Sequence, residues 1–124
     1  MGKHVDASLR PPVNRHRGEV AAVLDGRPFT LCLTLRSLAE LESAFGVTDL
    51  GALARRFSSG AVSARDMEII LAAGLRGGGH EVAPDSVGEM RIEGGAAGFA
   101  RLCGELLAAT FGNADGGAAG EGDA

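Results

Sequence analysis

The sequence predicts an α+β fold that is mainly α, with an N-terminal β-hairpin followed by a bundle of about five short helices. Two observations lead to this prediction. The pair Asp25-Gly26 separates two apolar runs within residues 18–33, and such a pair is the strongest short-range indication of a hairpin. After the hairpin, apolar residues recur at spacings of three and four in segments divided by glycines, which is the pattern of amphipathic helices.

The composition limits the chain to one modest core. Its 124 residues are 45% hydrophobic and include no Trp and no Tyr, so aliphatic side chains and Phe must fill a single domain. We expect that domain at residues 14–112. A disordered leader is predicted over 1–13, which has no periodic apolar pattern, and a disordered acidic Gly/Ala tail over 113–124.

The hairpin should present one apolar face to the helices. Its strands are expected at Glu19–Leu24 and Pro28–Leu33, with Phe29, Leu31 and Leu33 on that face. A two-stranded hairpin is marginal alone in water, so helices or a strand from a partner chain must cover it. Self-association through the hairpin edges is therefore one expected contact.

The first helix, over residues 34–45, is expected to organise the rest of the domain. Thr34 can serve as its N-cap and Gly46 as its left-handed stop. The spacing of its apolar residues predicts a buried stripe made of Leu35, Leu38, Leu41 and Phe45.

A second helix is predicted to begin at Thr48 or Asp49 and to end at Gly60. A third begins with a capping box formed by Ser63 and Asp66, and it is the most hydrophobic helix, so we expect it to be central. The inner sides of these two helices are predicted to comprise Leu50, Leu53, Phe57, Met67, Ile70, Leu71 and Leu75.

A short fourth helix is expected over residues 84–92, with Pro84 in its first turn. A fifth, predicted to be the longest, runs over about 96–110. Their inner sides are predicted to comprise Val87, Met90, Ile92, Phe99, Leu102, Cys103, Leu106 and Leu107.

The residue types that carry chemistry do not form a catalytic pattern. The sequence contains no metalloprotease, nucleophile-elbow or Walker A motif. The glycines 77–79 follow a helix, whereas a phosphate loop precedes one, so we interpret them as a helix C-cap. His4 lies in the leader, His16 in the approach to the first strand and His80 in a surface turn, with no orienting partner in the sequence. We therefore expect no enzymatic activity, no cofactor and no metal site.

The cysteine and hydropathy patterns indicate a cytoplasmic protein. Cys32 and Cys103 lie far apart in apolar stretches without C-x-x-C spacing, so we expect both thiols to be reduced and buried. No apolar run approaches the ~20 residues that cross a bilayer, and the first 13 residues do not resemble a signal peptide. No membrane contact is expected.

The net charge of −4 is unevenly distributed. Residues 1–17 sum to +3, residues 18–112 to −4 and residues 113–124 to −3. A mildly acidic body without a basic face argues against a nucleic-acid partner. The arginines Arg15 and Arg17 keep open the alternative of a small regulatory or nucleic-acid-binding domain, which salt-sensitive retention of DNA would support.

Several segments resemble the gene transfer agent tail protein family of alphaproteobacteria. They are NRHRGEV at 14–20, LCLTL at 31–35 with LAELE at 38–42 and FG at 45–46, GLRGGG at 74–79, and LAATFG at 107–112. The likeness covers about residues 14–112, and its motifs are structural rather than catalytic. Such proteins are in turn similar to the tail assembly chaperones of long-tailed phages.

The resemblance implies a role in building the tail of a phage-like particle. A tail assembly chaperone would bind the tape-measure protein and cover its hydrophobic helices before the tube polymerises; the alternative is a structural, tube-associated subunit. A tube subunit needs a β-rich domain that closes into a ring, so the mainly helical pattern favours the chaperone. A groove for the partner helix would be lined by Phe57, Met67, Ile70, Leu71 and Met90, although core packing explains the same residues equally well.

Overall fold

The computed structural model describes residues 18–60 and 62–112. An antiparallel sheet of two strands, β1 (Glu19–Leu24) and β2 (Arg27–Cys32), precedes five α-helices in the described residues. The predicted fold class is confirmed. The leader over 1–13 and the tail over 113–124 lie outside the described residues. The helices are α1 (Leu35–Phe45), α2 (Leu50–Ser58), α3 (Ala64–Gly77), α4 (Pro84–Gly88) and α5 (Gly95–Leu107), and a π-helical turn, Ala108–Gly112, continues α5.

A two-residue turn joins the strands of the hairpin. Asp25 and Gly26 have φ values of 55° and 75°, and a type I′ turn requires positive φ at both central positions. Val20, Leu24 and Leu31 are at most 1% exposed, on the face that meets the helices. The hairpin is as predicted, except that β2 begins and ends one residue earlier.

Helix α3 lies at the centre of the fold. Its side chains Ile70, Leu71 and Leu75 are at most 1% exposed, and the helix packs against β2, α1, α4 and α5. The predicted capping box forms at its N-terminus. The Asp66 N–H donates to Ser63 Oγ at 3.1 Å and the Ser63 N–H donates to Asp66 Oδ2 at 3.0 Å.

Two glycines allow the end of α3 to touch β2. A Cβ atom at Gly77 would overlap the carbonyl oxygen of Cys32, and one at Gly78 would overlap that of Thr30. The chain does leave the helix here, as the C-cap interpretation predicts, because Gly79 has φ of 100°. The stronger requirement for glycine, however, is close contact between two backbones.

Leu35 is 78% exposed, so its predicted place in the buried stripe of α1 is wrong. At about 3.6 residues per turn, it lies about 90° from the mean direction of Leu38, Leu41 and Phe45. The buried face of α1 extends the other way instead, to Ser37, which is 3% exposed.

The predicted place of Leu50 on the inner side of its helix is also wrong, because Leu50 is 40% exposed. It begins α2, whereas the contact between α1 and α2 centres on the far end of α2, where the rings of Phe45 and Phe57 lie 5.3 Å apart. An apolar spacing identifies a helix face but not how far along the helix a neighbour covers it.

The last two helices are shorter than predicted. Helix α4 ends at Gly88 because the following residues bind the hairpin turn: the Asp25 N–H donates to the Arg91 carbonyl at 2.9 Å and the Arg91 N–H to Asp25 Oδ1 at 2.8 Å.

Helix α5 has 13 residues and α3 has 14, so α5 is not the longest. It passes into the π-helical turn, where the Thr110 hydroxyl donates to the Leu106 carbonyl at 2.8 Å.

Ser37 is a buried polar residue that connects two helices. Its N–H donates to Thr34 Oγ1 at 3.1 Å, and its hydroxyl donates to the Ala73 carbonyl of α3 at 3.3 Å. We expect Ser37→Ala to lower the free energy of unfolding by about 1 kcal/mol, because it removes this hydrogen bond from a buried site. Urea denaturation followed by circular dichroism measures the change. The exposed Ser43→Ala on the same helix should stay within about 0.5 kcal/mol of wild type, and equal effects would contradict the assignment.

Candidate partner-binding surfaces

The five residues predicted to line a partner groove fall into two groups. Ile70 is 0% and Leu71 is 1% exposed, so both belong to the core. Phe57, Met67 and Met90 are half-buried and pack around that core. Met67 and Leu71 line one cleft, and the other three do not join them there. Contact of these residues with a partner stays a prediction.

The cleft containing Met67 lies between α3, α4 and α5. Its volume is about 170 Å³, below the roughly 300–1,000 Å³ typical of small-molecule pockets. It therefore suits an apolar side chain of a partner protein better than a cofactor. Phe99, assigned from sequence only to the inner side of its helix, also lines the cleft, and helix periodicity alone could not distinguish the two roles. The lining residues are Ala64, Met67, Glu68, Leu71, Val87, Gly88, Ala96 and Phe99.

A polar cluster stands beside this cleft. Arg65 Nη1 lies 2.8 Å from Glu68 Oε1 and 2.8 Å from Asp85 Oδ1, joining the first turns of α3 and α4. The hydrogen bond that Arg65 donates to Glu68, followed in size by the one that it donates to Asp85, raises the pKa of the Arg65 guanidinium. Because the cluster is solvent-exposed, it positions α4 rather than stabilising the domain substantially.

A wider groove follows β1 and faces α5. Its volume is about 620 Å³. Its floor includes the edge of a strand, and its walls mix apolar and charged side chains. A depression of about 500 Å³ adjoins it at the hairpin turn and shares Val23, Ile92 and Glu93. The groove is lined by Ala21, Ala22, Val23, Ile92, Glu93, Gly94, Gly98, Arg101, Leu102 and Glu105.

The outer edge of β2 is covered. The two-residue turn and the observed register place the outward N–H and C=O groups of β2 at Pro28, Thr30 and Cys32. Pro28 has no N–H to present. The Thr30 N–H donates to His80 Nε2 at 3.4 Å, and the glycines at the end of α3 lie against the carbonyls of Thr30 and Cys32.

The outer edge of β1 is open within the described residues. By the same register, its outward backbone groups include those of Ala21 and Val23. Both residues line the groove, and the Val23 side chain is 44% exposed. An open edge presents unpaired N–H and C=O groups, which bind another strand readily.

His80 is not the surface histidine that the sequence predicts. It is half-buried, and its ring meets that of Phe29 edge-on with centroids 4.9 Å apart. Its Nε2 atom accepts the Thr30 N–H, a partner 50 residues away. Sequence patterns could not reveal this partner, because the turn after α3 meets β2 only in the folded chain.

Cys103 is 4% exposed, and burial raises its pKa to about 12. Because the thiolate is the reactive form, this thiol should be inert at neutral pH. Cys32, which is half-buried, is not joined to it by a disulfide.

We expect Cys103 to resist alkylation at pH 8 in the folded protein and to react fully in urea; a Cys32→Ser background isolates its signal by mass spectrometry.

Folding raises the pKa of the Cys103 thiol above the unfolded value of 9.0. The stability that this buried thiol contributes is therefore present below about pH 9 and is lost as pH rises towards 12. The loss should reach about 1.4 kcal/mol per pH unit in that window. Cys103→Ala should remove this slope, and a slope that is the same in both proteins would contradict it.

Within residues 18–60 and 62–112, no group of three or more His, Cys, Asp or Glu side chains is arranged to hold a metal ion. In the same ranges, no helix combines the length and apolar character needed to cross a membrane.

The comparisons with known proteins agree with the resemblance noted in the sequence. No curated protein and no solved structure matches the chain. A family model described as "Phage tail tube protein, GTA-gp10" matches residues 17–113. This range contains every described strand and helix, from β1 to the π-helical turn. The expected link to gene transfer agents and phage tails is confirmed: the chain belongs to the phage tail tube protein, GTA-gp10, family.

Proposed function

We propose that this protein is a structural subunit of the tail of a gene transfer agent particle and is associated with the tail tube. The main support is the family match over residues 17–113, because the family is described as a phage tail tube protein. This description supports the structural role over the chaperone role that the helical sequence pattern favoured.

The surface of the domain is compatible with a place in a larger assembly. The open β1 edge provides backbone hydrogen-bonding groups, and Val23 adds an exposed apolar side chain beside them. Such an edge binds neighbours through the main chain. The sheet has two strands in the described residues, so a tube-associated position fits the fold better than a place in a ring formed by a continuous sheet.

Quantitative mass spectrometry of purified particles tests this role. We expect the protein to be retained at a constant ratio to the most abundant tail protein across gradient fractions. A particle preparation from a strain lacking the gene supplies the background. Presence in the assembling lysate but absence from purified particles would refute a structural role.

An assembly chaperone for the tape-measure protein is the second candidate, and the cleft between α3, α4 and α5 favours it. Met67, Val87 and Phe99 provide an adaptable apolar lining there. An apolar side chain projecting from a partner helix would fill the cleft, as in helix-in-groove recognition.

Co-expression with the tape-measure protein tests the chaperone role. Wild type should keep that protein soluble and co-purify with it, whereas Met67→Glu should lose both effects because it puts a charge in the cleft. Leu35→Glu is the matched control, since Leu35 is 78% exposed and does not line the cleft. Equal behaviour of the two variants would remove the cleft from consideration.

A further inference from the structure

We propose that β1 of one copy pairs with β1 of a second copy of this chain, which gives a four-stranded antiparallel sheet across a two-fold axis. The inference does not depend on the proposed tail function. It rests on the unequal edges of the hairpin, on the residues that a symmetric pairing would bring together, and on the exposed face of α5.

The unequal edges decide the symmetry of the pairing. A β1-to-β2 contact between copies would leave a further edge available at each step and would lead to a ring or a fibre. The β2 edge, however, is covered by Gly77, Gly78 and His80. Sheet pairing through the described residues therefore joins β1 to β1, and that contact closes at two copies.

The residues of β1 fit such a pairing. When the two-fold axis passes between the two Ala21 residues, their outward N–H and C=O groups form a hydrogen-bonded pair. Each Glu19 then lies opposite Val23 of the other copy, so the two carboxylates do not face each other. The small side chain of Ala21 leaves room at the axis.

The groove beside β1 carries complementary charges. Arg101, Glu93 and Glu105 line it, and none of them has an ion-pair partner within the described residues. Because both signs of charge are present, the groove of a second copy can provide each of these side chains with an opposite charge. The same surface is thus complementary to itself, as an isologous interface requires.

The exposed face of α5 adds an independent observation. Ala97, Gly104 and Ala108 share a side of the helix just beyond the groove and are exposed. A Cβ atom at Gly104 would meet nothing within 4 Å, so packing inside the described domain does not require glycine at this mid-helix position, where it lowers helix stability. Small residues would let the α5 helices of two copies approach closely above the joined sheet.

Variants that place opposite charges at residue 21, beside the two-fold axis, test the pairing. Sedimentation equilibrium of the full chain should show a reversible dimer. Ala21→Lys and Ala21→Glu should each weaken dimerisation about tenfold or more, because residue 21 faces itself across the axis. An equimolar mixture of the two variants should recover the dimer as a heterodimer, and this recovery also demonstrates that both variants fold.

A second pair of variants tests the contribution of α5. Gly104→Gln should weaken the dimer, whereas Ala44→Gln, at an exposed position of α1, should leave it unchanged. If the Ala21 variants do not fold, this pair decides the question. A wild-type monomer at every concentration, a larger ring, or equal dimerisation by wild type, Ala21→Lys and Gly104→Gln would overturn the proposal.

Discussion

Gly78→Ala is expected to lower the free energy of unfolding by about 3 kcal/mol or more. The added Cβ would overlap the carbonyl oxygen of Thr30, which is rigid backbone within β2. A flexible side chain could rotate away, but here the end of α3 would have to move off the sheet. That movement would also separate His80 from the Thr30 N–H. Urea denaturation followed by circular dichroism gives the change in stability.

Gly104→Ala provides the matched control for this prediction. Gly104 lies within helix α5, whereas Gly78 directly follows α3, and a Cβ at Gly104 would meet nothing within 4 Å. Alanine should therefore raise the free energy of unfolding by roughly 0.5–1 kcal/mol through its greater helix propensity. If both substitutions changed stability in the same direction, the close contact between α3 and β2 would not be the cause.

Leu71→Ala is expected to lower the free energy of unfolding by about 2–5 kcal/mol. Leu71 is 1% exposed in the central helix, so shortening it removes buried apolar contacts and leaves a cavity. Thermal and urea denaturation measure the loss. Leu35→Ala, at a position 78% exposed, should change stability by less than about 0.5 kcal/mol.

The Leu71 result also bears on the predicted partner groove. If Leu71→Ala leaves stability intact but abolishes a partner interaction, then Leu71 is a binding residue and the core assignment is wrong. Loss of stability as large as expected would place Leu71 in the core, leaving half-buried Met67 as the better probe of the cleft.

Features determined by neighbouring residues could be predicted from the sequence. The Asp25-Gly26 turn, the Ser63 capping box and the left-handed Gly46 each depend on a few consecutive residues, and all three are confirmed. The presence of the helices could be predicted for the same reason, because the spacing of apolar residues and the geometry of a helix both involve residues close together in the sequence.

Features that depend on contacts between distant segments could not be predicted. The close approach of Gly78 to β2, the buried hydroxyl of Ser37 and the His80 acceptor all need α3 to be placed against its neighbours first. The two candidate partner surfaces differ in the same way. Met67 was predicted because it is apolar and helical, whereas the difference between the two hairpin edges arises only from what α3 covers.

The hydrogen bonds between the hairpin turn and Arg91 affect how the chain folds during synthesis. Asp25 leaves the ribosome 66 residues before the partner that fastens it. The hairpin turn therefore cannot be fastened in its final position until the chain has been translated through Arg91. A ribosome stalled before Arg91 should therefore carry a hairpin whose turn is not yet fastened, even where α3 already packs against β2.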